Sequence, residues 1–273
     1  VNFDGEYSDG VRNYFIMNSL YWFEMYHIDG LRLDAVHGIF DRSAKNILEE
    51  LVEAVKSYSK KAGRDFYLVA ESDLNDSRIV KDKRQGGYGI DAQWSDDFHH
   101  AVHTLLTGER KGYYEDFGNI SHLVKAFTEG YVYSGEYSPF RKRVHGNSSA
   151  DIPPGRMIVC VQNHDQVGNR MLGERIITLA GFEAQKLAAG TLMVSPYIPL
   201  LFMGEEYGER APFLYFVSHS DPELVEAVRN GRRNEFSSFG WDEVPPDPQS
   251  EATFTASKTD RKTICIAEHS AMY

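Results

Sequence analysis

Short apolar runs, each followed by a longer amphipathic stretch, recur along this 273-residue chain. That alternation constrains the fold more than any other feature, because it calls for βα units on a parallel sheet. Ser8 is the expected cap of a helix from about Asp9 to Tyr26, with Val11, Phe15, Trp22 and Tyr26 as its buried stripe. Tyr14 and Phe23 are further core candidates on that helix. A strand-length run, His27 to Asp34, follows it. The next helix starts at Asp41 or Ser43, buries Ile47, Leu48, Leu51, Val52, Val55 and Tyr58, and ends on Gly63 as a left-handed cap. Phe66–Ala70 is a second strand, Ile90–Trp94 a weaker third, and a helix runs from about Asp96 to Leu106. Residues 131–155 read as a long surface excursion. Met157–Val161 is a fourth strand, a long helix covers roughly Gly173 to Gly190, and Pro199–Met203 is a fifth strand.

Three of these strand regions lead into acids: Asp34, Glu71 and Asp165, spaced 37 and 94 residues apart. One βα repeat of an eight-stranded barrel averages about 31 residues. The first interval is then one repeat and the second two, with the strand near Trp94 in between. Parallel barrel strands carry their C-terminal ends to one face, so the three carboxylates are expected to share a pocket. The fold class expected is α/β, with a spacing that fits a (β/α)8 barrel.

The flanking residues sharpen the chemistry. Arg32 and Asp34 lie two apart on a strand and leave the same face, so the guanidinium can hold the carboxylate ionised and aimed. Glu71 follows five apolar residues, where desolvation and a neighbouring negative charge would raise its pKa toward that of a general acid. An ionised carboxylate opposite a protonated one is the pair that glycosidic bond cleavage requires, and a third can grip hydroxyls as the sugar ring distorts. A single acid at a strand end is more often a helix cap or a surface charge, so the weight rests on the three together.

Composition narrows the partners. A net charge of −11 argues against gripping nucleic-acid phosphates. No apolar run approaches the roughly 18 residues of a membrane span. Two cysteines, Cys160 and Cys265, support neither a disulfide framework nor a structural zinc site, which fits a cytoplasmic setting. His99 and His103 have the i, i+4 spacing of a zinc pair but lack a third ligand, so neither metal nor cofactor is expected. Glu205 and Glu206 read equally as pocket rim or helix cap, and Cys160 as a small buried hydrophobe.

Asp29–His37, Val69–Ser72 and Gln162–Asn169 resemble three signature regions of the α-amylase superfamily. Gln93–His103, Tyr137–Phe140, Leu201–Gly208 and Gly231–Phe236 are similar, within it, to the trehalohydrolases acting on maltooligosyltrehalose. The resemblance implies a retaining mechanism with Asp34 as nucleophile, Glu71 as acid and then base, and Asp165 as stabiliser of the distorted ring. It implies that Arg32 orients Asp34 and that His37 and His164 bind sugar hydroxyls, with Trp94, Asp97 and His99 as candidates for gripping the trehalose end. The implied reaction hydrolyses the α-1,4 bond beside that end and releases trehalose. A branching or transferase activity on α-1,4-glucan, or a non-catalytic carbohydrate-binding barrel, are the alternatives. A further superfamily signature, ending in Asn-His, has no counterpart here. The expectation is therefore a partial barrel, strands four to eight, over residues 1–240, with a loop-rich tail over 241–273 leading toward a C-terminal β domain. Such a piece is expected to be inactive and poorly soluble alone. Chain length of the substrate and oligomeric state are not legible.

Overall fold

The computed structural model describes residues 1–238 and 245–272. The chain separates into two compact units. The first comprises Val1–Asp97, Val124–Val159 and Pro196–Ile198; the second comprises Phe98–Leu123, Cys160–Ser195 and Pro199–Tyr273. The helices in chain order are α1 (Ser8–Tyr26), α2 (Ile47–Ala62), α3 (Asp96–Thr107), α4 (Ile120–Glu129), α5 (His164–Gly168), α6 (Ile176–Ala180), α7 (Phe182–Met193), α8 (Pro222–Ser238), α9 (Glu251–Ala256) and α10 (Ala267–Met272). The strands are β1 (Gly30–Leu33), β2 (Tyr67–Ala70), β3 (Ala92–Trp94), β4 (Glu136–Ser138), β5 (Arg143–His145), β6 (Met157–Val159) and β7 (Ile198–Pro199).

The main sheet has the order β1-β2-β3-β6-β7, and its paired neighbours from β1 to β6 run parallel. This α/β arrangement with a parallel sheet is the class expected from the sequence, and the chain carries only part of a barrel. Register decides which side chains meet. Arg32 pairs with Val69 and Val69 with Ala92, so Arg32, Val69, Ala92 and Trp94 share one face of the sheet. Leu68 and Ala70 point to the other face and join Phe23, Leu48, Leu51, Val52, Val55 and Phe66 in the core.

α2 shows why the sequence folds this way. Its apolar residues recur at helical spacing, the Asn46 side chain accepts from the Leu48 N–H, and Gly63 ends the helix at φ 65°. The helix starts at Ile47 rather than Asp41 or Ser43, although the Asp41 carboxylate still accepts from the Ile47 N–H at 2.6 Å.

α1 departs further from expectation. Its cap position is Tyr7, in the left-handed region, and no side chain caps it, Ser8 included. Phe23 is buried as expected, but Tyr14, Phe15, Trp22 and Tyr26 are exposed. The reason is Arg12, which is buried and donates to Phe3 O, Asp41 Oδ2, Lys45 O and Glu50 Oε2 at 2.7–2.9 Å. Anchoring that guanidinium turns the face bearing Arg12, Ser19 and Phe23 inward.

Other differences have equally local causes. The excursion over 131–155 contains buried Tyr131, Val132 and Tyr133 and the antiparallel β4–β5 hairpin. The long helix over 173–190 is two helices, broken at Gly181 with φ 93° and ψ 172°. The fifth strand is confined to Ile198–Pro199; the Phe202 N–H is taken by the Glu205 carboxylate at 3.0 Å. Cys160 is buried, as expected of a small hydrophobe. The tail carries α9 and α10, so its described part is not simply loop. No helix among the described residues is long and apolar enough to cross a membrane.

Candidate active site

In the first unit, Asp34 and Glu71 follow directly on β1 and β2, whose ladder continues past the strands. The Glu71 N–H donates to Leu33 O at 2.9 Å and the Val36 N–H to Glu71 O at 3.0 Å. Ala35 turns the chain there with φ 44°, a conformation that costs a non-glycine residue energy. The turn aims the Ala35 N–H at Glu71 Oε2, 2.6 Å away.

Arg32 joins the two acids. Its Nη1 donates to Asp34 Oδ1 at 2.7 Å, and its Nη2 lies 3.8 Å from Glu71 Oε2. The same guanidinium sits 4.2 Å from the centroid of the Trp94 ring, which projects from β3, two strands away, on the same face. One delocalised cation thus lies over an aromatic ring with a carboxylate near each of its two terminal nitrogens. The two acids differ in access: the Asp34 side chain is 78% exposed and the Glu71 side chain 15%. That asymmetry gives the pair one open, ion-paired carboxylate and one sheltered carboxylate.

His37 stands in a tight turn after β1, with Nδ1 3.8 Å from Asp73 Oδ1, while Arg141 Nη2 lies 3.6 Å from Asp73 Oδ2. Asp73 and Arg141 were not expected from the sequence. The signal was their position: each directly adjoins a motif, Val69–Ser72 and Tyr137–Phe140.

In the second unit, Asn163 caps α5, its Oδ1 accepting from the N–H groups of Asp165 and Gln166. This sets His164 and Asp165 on the first turn, with His164 Nε2 3.3 Å from Asp165 Oδ2 and both side chains about half exposed (47% and 48%).

Asp97 and His99 are differently employed. Asp97 is buried, and its Oδ2 accepts from Asn75 Nδ2, the Val132 N–H and the Tyr133 N–H at 2.7–3.0 Å. Burial raises its pKa against the pull of those donors. His99 is 1% exposed, with Nδ1 2.6 Å from Val161 O and Nε2 2.9 Å from the Tyr114 hydroxyl. Burial drives its pKa well below the ordinary histidine value. His103 Nε2 meets Glu109 Oε2 at 2.6 Å, and Arg170 holds both Glu109 oxygens at 2.8 Å. Burial opposes the Glu109 charge, but hydrogen bonds from His103 and Arg170 outweigh it and hold the pKa at about 2. Both nitrogens of His99 and Nε2 of His103 are thus taken up by protein partners.

No protein-family model matches the chain. It is 51% identical over 261 residues to a malto-oligosyltrehalose trehalohydrolase of Saccharolobus solfataricus, a match over 96% of this chain and 44% of that protein. A malto-oligosyltrehalose trehalohydrolase of Arthrobacter ramosus is 48% identical over 262 residues, covering 95% of this chain and 46% of its own length. The crystal structure of a provisionally assigned alpha amylase from Salmonella typhimurium superposes with a TM-score of 0.88 at 43% identity, over 97% of this chain and 45% of that one. The chain spans less than half the length of the curated relatives it matches.

Proposed function

Because the chain belongs to the malto-oligosyltrehalose trehalohydrolase family, we propose that it supplies the acid-bearing part of a retaining glycoside hydrolase. The substrate is a maltooligosyltrehalose, cut at the α-1,4 bond next to its trehalose end. The observation that carries this reading is the single guanidinium of Arg32 shared by Asp34 and Glu71.

In the first step the Asp34 carboxylate attacks the anomeric carbon while Glu71 passes its proton to the departing glycosidic oxygen, leaving a β-glycosyl ester on Asp34. Trehalose departs with that oxygen. Glu71, now ionised, takes a proton from water, and the hydroxide attacks the ester to regenerate Asp34. Arg32 directs Asp34 before attack through its hydrogen bond to Oδ1. Asp165 binds ring hydroxyls more tightly as the ring flattens, and His37 and His164 hold sugar hydroxyls. Trp94 serves the site through Arg32 and offers a ring face to sugar, whereas Asp97 and His99 support it from within the fold. A cytoplasmic setting fits the two free cysteines, Cys160 and Cys265.

The test is Asp34→Asn and Glu71→Gln in the full-length enzyme, with released trehalose measured. Each is expected to lower kcat by more than about a thousandfold. Turnover within tenfold of the parent enzyme refutes the assigned roles. New α-1,6 branches in place of free trehalose would mean that a sugar hydroxyl, not water, resolves the intermediate.

A further inference from the structure

The motif Gly231–Phe236 contributes nothing to the chemistry above, yet Arg232 on α8 reaches back to α5. It is 8% exposed. Its Nη2 donates to Gly168 O and its Nη1 to Asn169 Oδ1, both at 2.9 Å, and its guanidinium lies 4.7 Å from the Tyr215 ring centroid. Gly168 is the last residue of α5, and Asn169, its C-cap, donates its own N–H to Asp165 O at 2.9 Å. A five-residue helix cannot sustain itself, because nucleation consumes more order than so few hydrogen bonds return. The direction of its first turn therefore depends on what grips its ends. Asn163 grips one end. At the other, two N–H groups of one rigid fork fix position and rotation together, and the positive charge suits the helix C-terminus.

We propose that Arg232 is a positioning residue for Asp165, acting through the Gly168–Asn169 end of α5. The inference rests on the reading of Asp165 as the stabiliser of the distorted ring. An amine on a flexible stem cannot reproduce both bonds, so Arg232→Lys keeps the charge and loses the fork. In the full-length enzyme, Arg232→Lys is expected to lower kcat about thirtyfold on maltooligosyltrehalose, since small misplacements of a group acting in the transition state have effects of that order. KM is expected to stay within about threefold, because the loss falls on the transition state. A cycle with Asp165→Asn separates positioning from general support. Once Asp165 is disabled, Arg232→Lys should cost less than about threefold more. Asn169→Ala, which removes one partner of the fork and leaves α8 intact, should lower kcat in the same way and carries the test if Arg232→Lys does not fold. An unchanged kcat in the folded variant, or an undiminished loss on the Asp165→Asn background, overturns the inference. If Asp165→Asn alone keeps turnover within tenfold, the role given to Asp165 fails instead.

Discussion

His99 shows how a residue that reads as substrate-facing serves the fold. Its ring bridges Val161 O and the Tyr114 hydroxyl in a buried setting that disfavours the charged form. An unfolded chain takes up a proton at this imidazole below about pH 6.5, while the folded one does not. The stabilisation is therefore present above that pH and is lost as pH falls, by at most about 1.4 kcal/mol per pH unit. Urea unfolding of the full-length enzyme at pH 7.5 and 5.5 should show the loss, and His99→Gln should shrink the gap between the two midpoints. An unaltered gap would assign the acid sensitivity to other groups. The carboxylates were legible because their cues are local: alternation along β1 places Arg32 and Asp34 together, and a run of apolar residues delivers Glu71. The duties of Asp97 and His99 were not, because their partners lie on distant segments, Asn75 and Val132–Tyr133 for one, Val161 and Tyr114 for the other.

Among the elements, α2 and β2 follow from periodicity and caps, while α1 does not. Its buried side is set by a charged residue that a hydrophobic pattern counts as solvent-facing. Arg12 meets an Asp41 side chain with no exposure, so removing the guanidinium leaves a buried carboxylate without its counter-charge. Arg12→Met is expected to destabilise the full-length protein by about 3–5 kcal/mol in chemical denaturation. A loss below about 1 kcal/mol would mean that solvent reaches Asp41 on minor rearrangement. The same limit explains the α6–α7 break, where the apolar pattern runs on but Gly181 alone adopts a backbone that a helix cannot hold.

For the whole molecule, the outward side of α1 carries Tyr14, Met17, Tyr21, Met25 and Tyr26, all more than two-fifths exposed. At this spacing the side chains form one exposed, mostly apolar stripe along the helix. Residues 1–273 produced alone are expected to bind a hydrophobic dye more strongly than the full-length enzyme does, to self-associate and to release no trehalose. A monomeric, dye-silent and active 1–273 would show that nothing further is needed. The pairing of β1 with β2 carries a different implication, for lineage and for engineering. Side chains alternate along a strand, so one added or deleted residue within β2 would swing Glu71 to the helix side and leave Asp34 without its counterpart. Related enzymes can therefore be expected to vary freely in the loops beyond the strands, and to tolerate no change of length within these two.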